Sequence, residues 1–497
     1  MPAASQQSRA AATPLRDPPK GSSVPLALAQ QNHPCYNGTG DFCMNDFTQD
    51  LALSRRIAQA VAGAGGQAFY VGGFVRDGLM GIECKDIDIE VYGIAPGALR
   101  ALLGELGEVY DRGASFGVLG LRHSDIDIAM PRTESRTGNK HTDFDVTVDP
   151  FLPPERACRR RDFTINAMLR DVLTGEVLDF YGGRGDLERR VIRCVCPETF
   201  EEDALRAFRA AQFASRLSAE IEPETRALCA SMDVTQLSVE RILGETEKAL
   251  LKAERPSIYF RELRAMDHLK EFYPELQATI GVEQNPRFHP EGDVFEHTML
   301  TLDAAASLRD RAEEKLGFML SALLHDLGKC VATQTREDGR IVAYGHEALG
   351  VELVERQLRR ITNNERMIRY VCNQSLLHMR PNMLCAANSK KKKTRQLFDE
   401  SICPNDLILL SRADASGKLD EPYREETEAW LRERLEDYRR RAAQPMVTGE
   451  DLIAAGLKPG KDFGAMLRRA RMLHFSGVDK KAALRQLLRE MQENKSG

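Results

Sequence analysis

Two aspartates separated by one residue are the first sign of chemistry in the sequence. Asp86 and Asp88 open the run DIDIEVYG (86–93), whose strict alternation is typical of a β-strand. Side chains two apart on a strand point to one face, so the two carboxylates project together while Ile87 and Ile89 point to the core. Paired carboxylates repel unless a cation lies between them, and hard oxygen ligands of this kind suit Mg²⁺. A D-x-D pair also occurs on ordinary exposed strand faces.

A glycine pair upstream makes the aspartates more informative. Gly72 and Gly73 end the β-type run QAFYVGG (67–73), and glycines after a strand let backbone N–H groups close on a phosphate. The pattern is neither a Walker A loop nor a dinucleotide fingerprint. Two divalent ions beside such carboxylates can activate an attacking hydroxyl and stabilise a leaving pyrophosphate.

The order of these motifs resembles a known family. Gly72-Gly73, Arg76-Asp77 and Asp86-Ile87-Asp88 resemble the first active-site motif of the polymerase-beta superfamily. More narrowly, they resemble the class that contains CCA-adding tRNA nucleotidyltransferases and bacterial poly(A) polymerases. Further motifs of that class follow in order, in ACRRRDFTINAML (157–169), LDFYGGRGDL (178–187), FEEDALRAFRAAQFASRL (200–217) and LSVERILGETEKAL (237–250).

The chain departs from the family pattern at three positions. Phe180 and Ala204 stand in place of prolines, and Gln212 stands in place of an arginine that, by resemblance, helps to hold the triphosphate. The contribution of position 212 is therefore in doubt, whereas the motif itself is present.

The resemblance implies roles for particular residues. Asp86 and Asp88 would be the catalytic ligands of Mg²⁺, and Asp127 a candidate third metal carboxylate. CTP and ATP would be the nucleotide substrates and tRNA the partner. The implied nucleotide-binding residues are Gly72, Gly73, Arg76, Asp77, Arg161, Asp162, Asp203, Arg206 and Arg209.

Asp203 and Arg206 suggest how bases are selected. Residues three apart share a helix face. A carboxylate accepts a hydrogen bond from the exocyclic amine of cytosine or adenine, and a guanidinium donates to the adjacent ring nitrogen. Uracil and guanine present a carbonyl oxygen and an N–H at these positions, so an acceptor would face the Asp203 carboxylate and a donor would face the Arg206 guanidinium. The pair therefore predicts selection of C and A without a nucleic-acid template. An ordinary surface ion pair is the alternative interpretation of the spacing.

A second series of polar residues lies downstream. His297, His325-Asp326 and Asp414 resemble the metal core of HD phosphohydrolases, and His346 and His378 stand where family members often have auxiliary histidines. Such ligands hold a divalent transition metal or Mg²⁺ and generate a hydroxide for attack on a phosphoester. The resemblance implies 2′,3′-cyclic phosphodiesterase or phosphatase activity, and whether this copy is active stays open.

The composition limits the class of protein to which the chain can belong. The 497 residues are 42% hydrophobic and 29% charged, with a net charge of −5, as in an ordinary globular protein. No apolar run approaches the ~20 residues that span a bilayer, so we expect no membrane segment. Eleven cysteines without a C-x-x-C motif indicate reduced thiols and a cytoplasmic location.

These observations predict an α+β protein in five segments. We expect a disordered extension or a mis-assigned start at 1–43; a transit peptide is conceivable there. A nucleotidyltransferase head with a mixed sheet would follow at 44–180, and a helical neck for nucleotide selection and RNA binding at 181–275. An HD phosphohydrolase-like domain at 276–420 and a helical tRNA-binding tail at 421–497 would complete the chain. In the tail, Thr448 followed by Asp451 predicts a capping box at the start of a helix.

Three alternatives remain open on sequence grounds. The nearest is a poly(A) polymerase of the same class, but the run ASFGVLGLRH (114–123) lacks the R-F-R signature typical of bacterial members. The second is a partial enzyme that adds only CC or only A. The third, from another class, is an HD phosphohydrolase with a head that merely binds nucleotide.

Overall fold

A seven-stranded mixed sheet forms the centre of the head. The computed structural model describes residues 47–82, 86–112, 117–136, 144–418, 423–460 and 462–496, so the predicted extension 1–43 lies outside the described residues. The strand order is β3-β4-β5-β2-β1-β8-β9. Among the described pairs of this sheet, β2 and β5 are parallel and the others are antiparallel. The strands are β1 Gln67–Val71, β2 Ile87–Tyr92, β3 Val109–Asp111, β4 Leu119–Leu121, β5 Ile126–Ala129, β6 Arg132–Arg136, β7 Phe144–Val148, β8 Leu169–Asp171 and β9 Val177–Leu178; β6 and β7 form a separate hairpin.

Helices cover this sheet and bury its alternating apolar residues. Ile87 and Ile89 of β2 are each 1% exposed and pack with Ile57 of α1 and Leu99 of α3. The predicted α+β head is therefore confirmed, and its alternation correctly assigned one face of β2 to the core. The helices of the head are α1 Phe47–Gly63, α2 Gly73–Leu79, α3 Pro96–Leu106, α4 Pro154–Arg159, a 3-10 turn Thr164–Asn166, and α5 Gly183–Arg189.

The neck is mainly helical and shares its apolar core with the domain that follows. Phe208 and Tyr259 of the neck belong to the same buried cluster as Phe295 and Phe318 beyond it. The elements are β10 Val191–Ile192, α6 Pro197–Phe200, α7 Leu205–Leu217, β11 Glu220–Ile221, α8 Pro223–Ser231, α9 Val239–Lys252, α10 Ser257–Ala265, α11 Leu269–Phe272 and α12 Pro274–Gln277. The continuous core holds the two regions together.

The next region consists of helices and one small hairpin. Its elements are α13 Val294–Ala306, a 3-10 turn Arg309–Arg311, α14 Lys315–Leu324, α15 Lys329–Ala332, β12 Gln334–Thr335, β13 Ile341–Val342, α16 His346–Arg359, α17 Glu365–Leu377, α18 Arg380–Ala386, α19 Lys391–Glu400 and α20 Pro404–Ser416.

The tail is helical, as predicted. The capping box expected at Thr448 forms: its hydroxyl accepts from the Asp451 N–H, and the Asp451 carboxylate accepts from the Thr448 N–H. The helices are α21 Glu425–Ala442, α22 Gly449–Ala454, α23 Phe463–Phe475 and α24 Lys480–Ser496. No described helix has the length and apolarity that a membrane crossing requires.

At Gly328 the start of α15 lies directly against the backbone of α16. A Cβ added there would lie 1.9 Å from the carbonyl oxygen of His346 and 2.7 Å from the nitrogen of Gly350. The constraint is steric, because the Gly328 φ of −63° suits any residue. Gly244, within α9, has open space around its Cβ position.

We predict opposite effects for alanine at these two glycines. Gly328→Ala should lower the unfolding free energy by about 1–3 kcal/mol through overpacking, since α15 and α16 must separate. Gly244→Ala should raise it by roughly 0.5–1 kcal/mol through helix propensity. Thermal melting followed by circular dichroism measures both, and an unchanged or higher melting temperature for Gly328→Ala would contradict the close approach.

Candidate active sites

The glycine turn at the end of β1 lies beside two charged side chains. Gly72 has φ 64° and ψ −128°, a conformation that favours glycine, and α2 begins at the next residue. A Cβ added at Gly72 would lie 3.6 Å from Nη1 of Arg161 and 3.9 Å from Oδ2 of Asp88. The missing side chain therefore leaves open space next to a guanidinium and a carboxylate.

Three carboxylates gather on the neighbouring strands. Asp88 and Asp127 are register partners on the parallel strands β2 and β5, so their side chains leave the sheet on one face. Asp86 is exposed and lies just before β2, which begins one residue later than the predicted strand. Burial raises the pKa of Asp88, and the negative charges of Asp127 and Asp86 raise it further. A bound cation would relieve this repulsion, so the residues fit the expected Mg²⁺.

Basic side chains flank the carboxylates. Nη2 of Arg161 donates to the buried Glu90 at 2.8 Å, and Nη1 of Arg112 donates to Asp127 at 2.5 Å. Glu90 was missed by the sequence analysis. The signal was present, because Glu90 continues the alternation of Asp86 and Asp88 in the run DIDIEVYG. Its carboxylate holds Arg161 next to Asp88 and Gly72.

Asp162 and Arg209 face each other. The Nε of Arg209 donates to Oδ2 of Asp162 at 2.8 Å, while Oδ1 of Asp162 accepts from the Phe163 N–H and from Asn166. Burial opposes ionisation of Asp162, but Arg209 and these hydrogen bonds keep its pKa below the ordinary value. The structure thus brings together two of the predicted nucleotide-binding residues.

Arg76 and Asp77 occupy the interior. Each is 3% exposed, and Arg76 donates to Asp77 at 2.7 Å and to Asn166 at 2.6 Å. Asp77 also accepts from Arg216 of α7 at 3.0 Å. This buried network joins α2 to α7, and a contact of these two residues with nucleotide stays a prediction.

Asp203 and Arg206 are arranged differently from the expectation of a shared helix face. Asp203 precedes α7, which begins at Leu205, and its carboxylate accepts the Leu205 N–H at 3.1 Å. That carboxylate also accepts from Arg241 at 2.9 Å. The Arg206 guanidinium donates to the carbonyl oxygens of Thr199 and Arg160 at 2.7 and 2.8 Å. Their base-reading role stays a prediction.

The second predicted site assembles in the helical region. Nε2 of His297 lies 3.1 Å from Oδ1 of Asp414 and 3.6 Å from Oδ2 of Asp326. Nε2 of His325 lies 3.2 Å from the same Asp326 oxygen and 3.8 Å from Asp414. Four residues that are distant in sequence, on or beside α13, α14 and α20, therefore meet at one point.

The other oxygen of Asp326 faces two more histidines. Oδ1 lies 3.1 Å from Nε2 of His346 and 3.6 Å from Nε2 of His378. Among the described residues, His325 Nε2 and both Asp326 oxygens have no partner in hydrogen-bond geometry although all are buried. Nitrogen and oxygen atoms that converge in this way fit divalent metal ions. One oxygen of Asp326 faces His297 and His325, and the other faces His346 and His378.

Glu291 orients one of these histidines. Its side chain is 1% exposed, and it accepts from Nδ1 of His297 and Nδ1 of His289, both at 2.8 Å. Burial opposes ionisation, but these hydrogen bonds hold the pKa of Glu291 at about 2. The contact leaves Nε2 of His297 as the free ligand atom. Sequence reasoning missed Glu291, because nothing in the HPEGD run (289–293) shows that its side chain is buried.

A cavity of about 570 Å³ opens over this second cluster. Asp326, His346 and Asp414 lie on its wall together with Lys329 and Lys418. Nζ of Lys329 is 2.7 Å from Oδ2 of Asp326 and donates to Gln284 at 2.7 Å. The cavity combines candidate metal ligands with two lysine side chains on its wall, which suits a phosphorylated ligand.

Comparisons with known proteins match the two regions that contain these sites. Residues 68–193 match the family model of the poly A polymerase head domain, and residues 294–416 match that of the HD domain. Solved structures share the fold: a CCA-adding enzyme in complex with ATP is 22% identical with a TM-score of 0.61, over 89% of this chain and 96% of that one. A Thermotoga maritima CCA-adding enzyme complexed with tRNA is 20% identical with a TM-score of 0.57, over 90% and 98%.

Curated relatives extend this likeness along most of the chain. The multifunctional CCA protein of Hahella chejuensis is 38% identical over 59% of this chain and 68% of its own length. That of Mannheimia succiniciproducens is 35% identical over 71% and 84%. That of Alkalilimnicola ehrlichii is 36% identical over 82% and 96%. With this identity over nearly the whole of a relative, the chain belongs to the family of multifunctional CCA proteins.

Proposed function

We propose that the chain is a tRNA nucleotidyltransferase that adds C, C and A to the 3′ end of tRNA from CTP and ATP without a template. The observation that carries this is the convergence of Asp86, Asp88 and Asp127 beside the Gly72 turn and Arg161. The terminal hydroxyl of tRNA attacks the α-phosphorus, a new P–O bond forms, and pyrophosphate leaves. Magnesium at the carboxylates would activate that hydroxyl and stabilise the pyrophosphate.

The chain's own residues bind and orient the nucleotide in this proposal. Gly72 leaves room for the phosphates, and Arg161, held by Glu90, donates to them. Asp203 and Arg206 read the base once they exchange their present partners, Arg241 and two backbone carbonyls, for base atoms. Arg76, Asp77, Asp162 and Arg209 support the nucleotide from the network between α2 and α7.

We also propose how the chain is divided and where it acts. Head, neck, HD domain and tail would span 44–180, 181–275, 276–420 and 421–497, with tRNA along the helical parts. The extents of the two family matches support the head and the HD domain. The described cysteines are free thiols, in keeping with a cytoplasmic location.

The second function we propose is phosphohydrolysis in the HD domain, supported by the cluster around Asp326. Water would add to the phosphorus of a 2′,3′-cyclic phosphate, one ribose oxygen would leave with a proton, and a monophosphate would remain. The metal, a divalent transition ion or Mg²⁺, would supply the hydroxide. His297, His325, Asp326 and Asp414 would hold one ion, and His346 and His378 with the second oxygen of Asp326 another.

Replacing Asp88 tests the transferase. Asp88→Asn should lower CTP and ATP incorporation into tRNA lacking its 3′ end by about a hundredfold or more. It should not lower the melting temperature at neutral pH, because the raised pKa means that the folded state disfavours the charge. Asp111→Asn, an exposed carboxylate on β3 of the same sheet, is the control. Full incorporation by Asp88→Asn would contradict the assignment.

The product of the unmodified enzyme separates the alternatives. With CTP and ATP together we expect three added nucleotides on gels of labelled tRNA. Long A tails would indicate a poly(A) polymerase, two C or one A a partial enzyme, and no addition a phosphohydrolase with a nucleotide-binding head.

Replacing Arg206 tests base selection. Arg206→Ala should reduce the preference for CTP over UTP roughly tenfold, since the donor to the unprotonated ring nitrogen is lost. Arg189→Ala, an exposed guanidinium on α5, should keep the preference. Competition between CTP and UTP in single-nucleotide addition measures it, and unchanged discrimination by Arg206→Ala would rule out its role.

Replacing Asp326 tests the second function. Asp326→Ala should abolish release of monophosphate from 2′,3′-cyclic nucleotides and lower the metal content measured by mass spectrometry, because both groups of ligands lose an oxygen. CCA addition should persist. Asp310→Ala, an exposed carboxylate of the same domain, is the control. No release by the unmodified enzyme with Mg²⁺, Mn²⁺, Co²⁺ or Ni²⁺ would contradict phosphohydrolysis.

A further inference from the structure

Two aromatic side chains stand exposed on the wall of the HD cavity. Phe288 is 59% exposed and Tyr344 is 73% exposed, and both line the cavity that contains Asp326 and Asp414. Single exposed aromatics are ordinary. Two of them on one cavity above a cluster of metal-ligating groups form a specific arrangement that the hydrolytic chemistry itself does not require.

The backbone fixes both rings close to the ligand cluster. Phe288 immediately precedes His289, in a turn where the N–H groups of both residues donate to the carbonyl oxygen of Asn285. Tyr344 lies between the β12–β13 hairpin and His346, which begins α16 and whose Nδ1 contacts the carbonyl oxygen of Ala343 at 2.8 Å. Short ordered segments therefore connect each ring to the site.

Cations accompany the aromatics. The Arg287 guanidinium lies 5.7 Å from the centre of the Phe288 ring, and the Arg336 guanidinium lies 5.3 Å from that of Tyr344. Lys329 and Lys418 line the interior of the same cavity. Aromatic faces combined with basic groups are the pattern by which proteins hold a base and its phosphate without reading sequence.

We infer that Phe288 and Tyr344 form a base-stacking subsite at the mouth of the HD cavity and determine how tightly this domain binds the base of its nucleotide substrate. The base stacks on these rings while Lys329 and Lys418 attract the phosphate to Asp326 and Asp414. The shared chemistry is a nucleoside 2′,3′-cyclic phosphate, free or at the 3′ end of an RNA. The inference rests on the proposed phosphohydrolase function and adds the two side chains that bind the base of its substrate.

The test compares a substrate that has a base with one that lacks it. The Phe288→Ala/Tyr344→Ala double variant should raise the KM for 2′,3′-cyclic AMP about tenfold while changing kcat little. Its kcat/KM for the base-free methyl riboside 2,3-cyclic phosphate should stay that of the unmodified enzyme. Leu349→Ala is the matched control, because Leu349 is an exposed apolar side chain of α16 that does not line the cavity.

A second measurement does not depend on turnover. Tyr344→Trp keeps an aromatic face, so it should retain the low KM, and its indole fluorescence should be quenched by adenosine 2′-monophosphate but not by ribose phosphate. An RNA ending in a 2′,3′-cyclic phosphate gives the third arm. A lower KM for the RNA than for the free nucleotide identifies an RNA end as the substrate, and a similar KM identifies the free nucleotide.

The outcomes separate the two claims. Equal effects of the double variant on both cyclic phosphates, or no effect on either, would overturn the stacking subsite and leave phosphohydrolysis intact. If the unmodified enzyme hydrolysed neither substrate, the result would contradict the proposed phosphohydrolase function. Quenching of Tyr344→Trp by the nucleotide would then support the subsite as a binding site, and the absence of quenching would overturn it as well.

Discussion

Electrostatic repulsion between carboxylates on adjacent strands is the constraint on which the head depends. The parallel pairing of β2 with β5 places Asp88 directly beside Asp127, and Asp86 lies at the entrance to the same strand. The fold disfavours the charge of Asp88, since its pKa is raised by burial and by these neighbours. A cation removes that penalty. The free energy that the sheet loses by holding these charges together is thus available as affinity for metal.

The HD domain also holds a carboxylate among candidate metal ligands, but most of these ligands are imidazoles. Asp326 is buried between two groups of imidazoles, and its two oxygens face different groups. Glu291 accepts from Nδ1 of His297, which stabilises the tautomer whose Nε2 can bind a metal. The head offers carboxylates and the HD domain offers groups rich in imidazole. These two ligand sets suit different metal ions, so the two domains can differ in the ion that they bind.

Local pattern predicted those features that depend on neighbours in sequence. The alternation around Asp88 predicted a strand whose isoleucines face the core, and Thr448 with Asp451 predicted a capping box; both form. Resemblance placed His297 with His325, Asp326 and Asp414, which no local pattern could bring together, because they lie on or beside three different helices.

Features that depend on tertiary packing were missed or misjudged. Asp203 lies before α7 instead of on its face with Arg206, and its carboxylate accepts the Leu205 N–H. Glu90 and Glu291 are both buried charges. The partner of Glu90, Arg161, lies 71 residues away, whereas Glu291 accepts from the nearby His289 and His297 and is buried by the packing around them. Charge burial is decided by packing, so a sequence read alone assigns such residues to the surface.

The most direct test of the central claim is a crystal structure with CTP and Mn²⁺, in which anomalous scattering locates the ion. The account predicts an anomalous peak among Asp86, Asp88 and Asp127, with the triphosphate lying between that ion, the Gly72 turn and Arg161. A triphosphate bound elsewhere, with no ion at the three carboxylates, would contradict it.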